Sequence, residues 1–321
     1  MQDITQEIER LFKGKNRALV TELIAIVNGL KAWWPLTVRQ VFYQAVTKGL
    51  IENHINRYKR ISENLTTLRR EDIIPWRAIE DRTRRTTDRK GLPEVEQYII
   101  SDVNLLWRPE YYHRCRVSTQ PVYVEILTEK DALSAIFEDA ARPFCTRVNI
   151  IRGQASATMV NDIATRLHEA QNKYGKRPIL IHFGDLDPSG VAIPKSIKNN
   201  LLEHHGLDVE LIRAALNPNQ VIEYQLPEGV DAAKQTDKNY GAWLAEYGKH
   251  QKPVELDALH PRLLTDLIND SLLRVYDPEL LDAEARREVD DRERLKKMRT
   301  DFLLWAENQF PELSDYIADF A

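Results

Sequence analysis

Cysteine is nearly missing from this chain: its 321 residues hold two, Cys115 and Cys145. With no cysteine pair at metal-binding spacing, the sequence argues against a disulfide framework and a structural zinc cluster, and it fits a reducing cytoplasm. No apolar run approaches the ~20 residues of a membrane-spanning helix. The opening residues, Met1-Gln2-Asp3-Ile4, are polar and acidic and lack a secretory signal pattern. There is no internal repeat, low-complexity tract, long linker or Gly-rich ATP-binding motif. What remains is the composition of a soluble globular protein, 43% hydrophobic and 29% charged. The length suffices for two ordinary domains.

A net charge of −4 argues weakly against nucleic acid, but its distribution argues the other way. Residues 1–120 hold 21 Lys and Arg against 15 Asp and Glu, a balance of +6; the remainder of the chain carries −10. A basic half and an acidic half suit DNA binding by one and metal binding or solvation by the other.

Apolar spacing predicts helices over Ile4 to Phe12 and Leu19 to Leu30, ended by Trp33-Trp34-Pro35. Thr37 and Gln40 form a capping-box pair for a helix reaching Thr47, with Gly49 closing it. A second helix is expected over Asn56 to Arg70, with Tyr58, Ile61, Leu65 and Leu68 on one face and Arg57, Lys59, Arg60 and Arg69 around the rest. Ile73-Ile74-Pro75-Trp76 reads as a short extended piece, followed by a basic stretch of Arg77, Arg82, Arg84, Arg85, Arg89 and Lys90. Helix, turn, basic helix and extended wing is the order of a winged-helix DNA-binding module. A small helical domain with a solvated basic face has the same pattern.

Near residue 118 the texture changes. Strands are predicted at Val122 to Thr128, Arg147 to Ile151, Ile179 to Gly184 and Val209 to Ala215. Helices fall between them, at Asp131 to Ala141, after a Ser156 cap, and at Lys195 to His205. That alternation predicts a parallel α/β sheet. From about Pro253 the tail reads as mostly helical, with Asp282 to Arg299 as a solvated helix face.

Three sets of residues carry chemistry. Ile179-Leu180-Ile181-His182-Phe183-Gly184 runs into Asp185-Leu186-Asp187-Pro188-Ser189-Gly190, so a buried strand delivers two carboxylates to its C-terminal end, where open α/β sheets place ligands. Carboxylates so close repel unless a cation intervenes or one holds a proton, which points to a hard dication such as Mg²⁺. Asp with Pro-Ser-Gly is also ordinary turn composition. The first strand ends at Glu129-Lys130-Asp131-Ala132, placing Glu129 on the same sheet edge; Glu125, inside that strand, is the rival and is expected to point away. Upstream, Arg39-Gln40-Val41-Phe42-Tyr43 sets Arg39 and Tyr43 four apart on one helix. Val38, Val41, Phe42 and Ala45 are expected to form the core face, with Tyr43 at its border. Tyrosine can attack a phosphodiester, and an adjacent arginine suits a phenolate and a phosphate. A packed core tyrosine accounts for the same spacing.

Glu129-Lys130-Asp131-Ala132 with Asp185-Leu186-Asp187-Pro188-Ser189-Gly190 resembles the Toprim domain. The variant is similar to that of the topoisomerase VI A subunit and the related meiotic double-strand-break protein, whose Arg-x-x-(Tyr/Phe)-Tyr motif Arg39 to Tyr43 resembles. The resemblance spans roughly residues 36–270, and Glu255-Leu256-Asp257-Ala258-Leu259 is similar to the end of that family's Toprim region, with no catalytic role assigned to Glu255 or Asp257. It implies an α/β plus α chain: an N-terminal helical segment (1–35), a winged-helix, CAP-like domain with the nucleophilic tyrosine (36–118), and a Toprim domain with a helical C-terminal extension (119–321). It further implies that Tyr43 forms a 5′-phosphotyrosyl link, Arg39 assists at the phosphate, and Glu129, Asp185 and Asp187 bind Mg²⁺. Arg57, Lys59, Arg60 and Arg69 are expected to contact double-stranded DNA. The family acts as a homodimer, the tyrosine of one subunit working at the metal site of the other, and its usual members join a separate ATPase B-type subunit.

This chain has fewer residues before the winged helix than the usual A subunit, and is similar to the stand-alone Mini-A relatives. The resulting expectation is a cytoplasmic, nucleoid-associated, Mg²⁺-dependent enzyme that cleaves and rejoins DNA, without a membrane role. Two alternatives stand beside it. One is a Toprim nuclease of plasmid or phage defence, in which water attacks and Tyr43 is structural; the other is a non-catalytic DNA-binding subunit.

Overall fold

The computed structural model describes residues 4–80, 102, 105–153, 155–229 and 237–309. Two compact units divide the chain: Met1–Arg84 with Pro121–Val275, and Arg85–Gln120 with Tyr276–Ala321. Among the described residues no helix is long and apolar enough to cross a membrane.

The first unit opens with four helices: α1 (Ile4–Leu11), α2 (Lys15–Gly29), α3 (Val38–Thr47) and α4 (Ile55–Arg70). The capping box forms as read: Gln40 N–H donates to Thr37 Oγ1 at 3.2 Å, and Thr37 N–H to Gln40 Oε1 at 2.7 Å. Gly49, at φ +67°, ends the helix where a side chain would strain the backbone. Ile61, Leu65 and Leu68 are buried on α4, while Tyr58 sits half-buried and edge-on to Phe42.

The expected extended piece at 73–76 is corrected. Ile73 and Ile74 turn back to donate to the Leu68 carbonyl, and Trp76–Ala78 is a 3₁₀ turn. The extended contact comes later, as a parallel bridge from Ile79 to Leu36. Pro75 donates no N–H to a ladder, which favours the turn. The expected basic residues Arg82, Arg84, Arg85, Arg89 and Lys90 lie outside the described residues.

A parallel sheet of four strands follows, in the order β2-β1-β3-β4. Its strands are β1 (Val122–Thr128), β2 (Arg147–Ile150), β3 (Arg177–Phe183) and β4 (Glu210–Ala215), separated by α5 (Ser134–Ala141), α6 (Ala157–Tyr174) and α7 (Pro188–His205). Leu127 and Leu180 share one face with the apolar sides of α6 and α7, forming a cluster with Ile163, Leu167, Ile197 and Leu201. On the other face Phe137 of α5 packs edge-on against Phe183, ring centroids 5.2 Å apart. Ser156 caps α6 as read, accepting from Met159 N–H. α7 starts seven residues before the expected Lys195, because Pro188 stands at its first position and Asp187 caps it. α8 (Pro218–Glu223), α9 (Tyr240–Tyr247) and α10 (Pro261–Leu273) complete this unit, α10 lying against α5.

The second unit is organised by α11 (Pro278–Gln309). Its charged stretch is not simply the solvated face expected from the sequence. Glu284 and Glu288 are buried, because Arg114 pairs with Glu284 and Asp291 and donates its N–H to Glu288. Arg292 and Arg299 of the helix reach back to the Tyr112 and Leu106 carbonyls.

Buried on β3, His182 accepts at Nδ1 from Arg213 at 3.2 Å. Burial, reinforced by the Arg213 charge, pushes its pKa down from 6.5 to about 3. The folded state therefore binds this proton less readily than the unfolded chain, so the stability it supports is present above about pH 6.5 and lost as pH falls toward 3. In urea denaturation series His182→Asn is expected to flatten the stability decline between about pH 6 and pH 4, by up to about 1.4 kcal/mol per pH unit.

Candidate functional site

The C-terminal edge of the sheet is where the expected residues meet. β1 ends at Thr128, and Glu129 follows it directly, accepting the Asp185 N–H at 3.2 Å on Oε1. β3 ends at Phe183 and leads through Gly184 into Asp185. Asp187 lines the same pocket as Asp185, while its Oδ1 accepts the Gly190 N–H at 2.6 Å as the cap of α7. Gly190 is required by close approach: a Cβ there would run into the Asp185 carbonyl oxygen and stand 3.1 Å from Glu129 Oε1. Arg213 of β4 braces the loop from behind, donating to the carbonyls of Asp185 at 2.7 Å and Gly190 at 2.9 Å. Glu125 points elsewhere, as expected; it is fully buried and held by Tyr123, Asn149, and Nε and Nη2 of Arg166.

The lysine after Glu129 carries no motif of its own in the sequence, yet it is the cation on which three of the site's acids meet. Lys130 Nζ lies 2.8 Å from Asp185 Oδ2, 3.0 Å from Asp257 Oδ2 and 3.3 Å from Glu255 Oε2. Burial alone would make its ammonium easier to deprotonate, but Asp257, Asp185 and Glu255 overcome that and raise its pKa. Asp257 is buried, and neither of its carboxylate oxygens makes a hydrogen bond among the described residues.

Glu255 and Asp257 reach this edge because their segment is stitched to the aspartate loop. Leu186 and Val254 exchange both backbone hydrogen bonds, at 2.9 and 3.1 Å, and Leu256 N–H donates to Asp185 Oδ1 at 2.7 Å. No local pattern marks Glu255 as a partner of Asp185. The signal available in the sequence was the acid alternation Glu255-x-Asp257 after an extended Pro-Val pair.

Tyr43 and Arg39 close the constellation. The Tyr43 hydroxyl donates to Glu255 Oε1 at 2.8 Å, and the Arg39 guanidinium lies 3.3 Å from Glu255 Oε2. Tyr43 is not at the border of the apolar stripe as expected: it is 0% exposed, like Val41, Phe42 and Ala45. The helix is enclosed on two sides, by α2 and α4 and by the turn Leu256–Ala258, so an edge position becomes interior. Val38, expected in the core, is half-buried. The resemblance set the tyrosine against a partner's metal site; here its hydroxyl meets a carboxylate of its own chain.

Arg39, Lys130, Asp185, Asp187, Gly229, Pro253, Val254 and Glu255 line an open pocket of about 140 Å³. Burial pushes the Glu129 carboxyl above its ordinary range, opposed by the Asp185 N–H and Lys130 and helped by the Asp187 charge. Burial likewise raises Asp185, with Lys130 opposing and Glu129 adding to the rise. Among the described residues no group of three or more His, Cys, Asp or Glu stands in ligand geometry for a metal ion. The donors nevertheless suit a hard dication in kind: all are carboxylate oxygens, and two are desolvated neighbours that a cation would relieve.

The four expected DNA contacts on α4 divide. Arg57, Lys59 and Arg60 are exposed, with Arg60 donating to Asn16 and Arg57 lying 3.8 Å from Glu52. Arg69 turns inward, donating to the Leu65 and Ile79 carbonyls and lying over the Trp76 ring at 5.0 Å, where burial lowers its pKa.

Removing one partner of a buried ionic cluster strands the others. Lys130→Met is expected to lower unfolding stability by about 3 kcal/mol, and adding Asp257→Asn to restore part of that loss. Urea denaturation of the single and double variants measures both.

No family model matches the chain, and no curated protein sequence matches it significantly; the geometry of this sheet edge carries the functional reading.

Proposed function

We propose that the chain is a Mg²⁺-dependent, DNA-cleaving enzyme of the topoisomerase VI A type, with a winged-helix-like N-terminal part and a Toprim-like sheet. One observation carries the reading: Tyr43 and Arg39 of α3, and Lys130, in contact with Asp185, all converge on the Glu255 carboxylate beside a polar pocket. A nucleophile-bearing helix and an acidic sheet edge thus share one site within one compact unit. That is what phosphoryl transfer needs, since its catalysis is positioning plus charge stabilisation.

In this reading Glu129, Asp185 and Asp187 hold Mg²⁺. The bound ion would supply charge neutralisation at the phosphoryl oxygens. Arg39 and Lys130 bind the scissile phosphate in the pocket, a role suited to their cationic heads at its wall. Tyr43 attacks phosphorus and retains the cleaved strand as a 5′-phosphotyrosyl ester, so the bond energy is kept for resealing. A homodimer on double-stranded DNA brings two such sites to two strands, with Arg57, Lys59 and Arg60 on the exposed face of α4 as backbone contacts.

A second reading has its own support. Tyr43 is 0% exposed, which suits a structural phenol and a water nucleophile, as in a Toprim nuclease. For the phosphotyrosine route, the phosphate must reach the hydroxyl where it faces Glu255, at the edge of the pocket that Glu255 also lines.

Duplex DNA incubated with the full chain and Mg²⁺, then denatured and resolved by gel, separates the two. The expected result is a covalent protein–DNA adduct that is lost in Tyr43→Phe, in Asp185→Ala/Asp187→Ala and on chelation. Metal-dependent nicking by Tyr43→Phe with no adduct from either protein selects the nuclease. Salt-sensitive binding without cleavage by the wild type under any divalent metal leaves a DNA-binding subunit.

A further inference from the structure

We infer that Glu255 is the catalytic base of strand cleavage, the group that takes the phenolic proton as Tyr43 attacks. The inference rests on the reading of Tyr43 as nucleophile and adds the residue that activates it.

A phenol has an ordinary pKa of about 10, so at neutral pH only about one in a thousand is ionised and a positioned acceptor is needed. Glu255 Oε1 lies 2.8 Å from the Tyr43 hydroxyl and accepts its hydrogen bond in the resting chain. The neighbouring carboxylates have other partners. Asp185 accepts Leu256 N–H and faces Lys130, Glu129 accepts Asp185 N–H, and Asp187 caps α7.

The two oxygens of Glu255 divide the work. Oε1 faces the phenol, and Oε2 faces the Lys130 ammonium and the Arg39 guanidinium, each at 3.3 Å. With both cations on the far oxygen, Oε1 is left to the phenol alone. Its position is fixed by the backbone as well as by charge, since Val254 is bridged to Leu186 and Leu256 is bonded to Asp185. The base is thus carried on the same short segment that frames the phosphate pocket.

The Tyr43 oxygen forms a bond to phosphorus while the bond from phosphorus to the 3′ oxygen breaks. The phenolic proton passes to Glu255 Oε1, and the bonding pair leaves on the 3′ oxygen, which takes a proton from water to become a free 3′-hydroxyl. Glu255 then returns its proton to the hydroxide so formed. Resealing reverses each transfer.

The test follows the rate of adduct formation by the full chain on duplex DNA with Mg²⁺. Glu255→Gln keeps the shape of the side chain and is expected to slow adduct formation by about 10²- to 10⁴-fold. DNA affinity is expected to stay close to wild type, the unfolding midpoint to fall by less than in Lys130→Met because Lys130 keeps Asp185 and Asp257, and Glu255→Asp to fall between in rate. Replacing Tyr43 by trifluorotyrosine, a more acidic phenol that depends less on a base, is expected to recover most of the rate lost in Glu255→Gln. A merely structural Glu255 would not respond to phenol acidity. Three results overturn the inference while leaving Tyr43 as nucleophile: an unchanged rate in Glu255→Gln, a faster rate that makes Glu255 a latch over the phenol, or no recovery with the acidic phenol. A wild type that forms no adduct at all overturns this inference together with the reading it rests on.

Discussion

One ammonium group holds the site together. Lys130 follows β1, Asp185 follows β3, and Glu255 and Asp257 come from a segment some seventy residues further along; their acids meet at a single nitrogen. Without that charge the edge would collect several carboxylates in partial burial, a state with a high electrostatic cost. With it, three separate stretches of chain share one local minimum, and Tyr43 is pinned indirectly because its acceptor, Glu255, is one of the acids Lys130 holds. The same arrangement sets the chemical character of the pocket. Its wall carries both cations and carboxylates, so it can meet an anionic ligand and a hard cation side by side.

Much of this was legible in the sequence wherever a local rule dominated. Thr37 and Gln40 announced α3 through a reciprocal cap, Ser156 announced α6, and apolar runs ending in acids marked β1 and β3 together with their shared edge. Glu125 was separated from Glu129 by its position in the strand alone, and its burial against Arg166 agrees. The start of α7 is hidden in the sequence because Asp with Pro-Ser-Gly composes a turn or a ligand loop as well as the cap of a proline-led helix. The bend at Ile73 and Ile74 is hidden because two β-branched residues signal a strand while the proline beside them signals a turn.

What could not be read was non-local. Tyr43 was placed at the border of an apolar stripe because periodicity describes one face at a time. Its full burial comes from the turn at Leu256–Ala258, more than two hundred residues away, closing over α3. Lys130 sat beside a motif acid and passed unremarked, since its role exists only where the sheet brings Asp185 opposite it. Glu284 and Glu288 read as solvated for the same reason: their partner, Arg114, is remote in sequence and close only in the fold.

The excursion between β4 and Val254 leaves and returns at almost the same spot. Leu216 N–H donates to Gly184, and two residues further along the aspartate loop Leu186 pairs with Val254. Both ends of some thirty-five residues are therefore clamped to neighbouring rungs of one loop, with Glu255 just beyond the second clamp. The length of such a closed excursion carries little thermodynamic weight, since doubling a flexible loop costs only about 0.6 kcal/mol. Outside α8, α9 and the pocket-lining Gly229, a change in the length of this excursion would therefore leave the two clamps, and the acids just beyond them, in register.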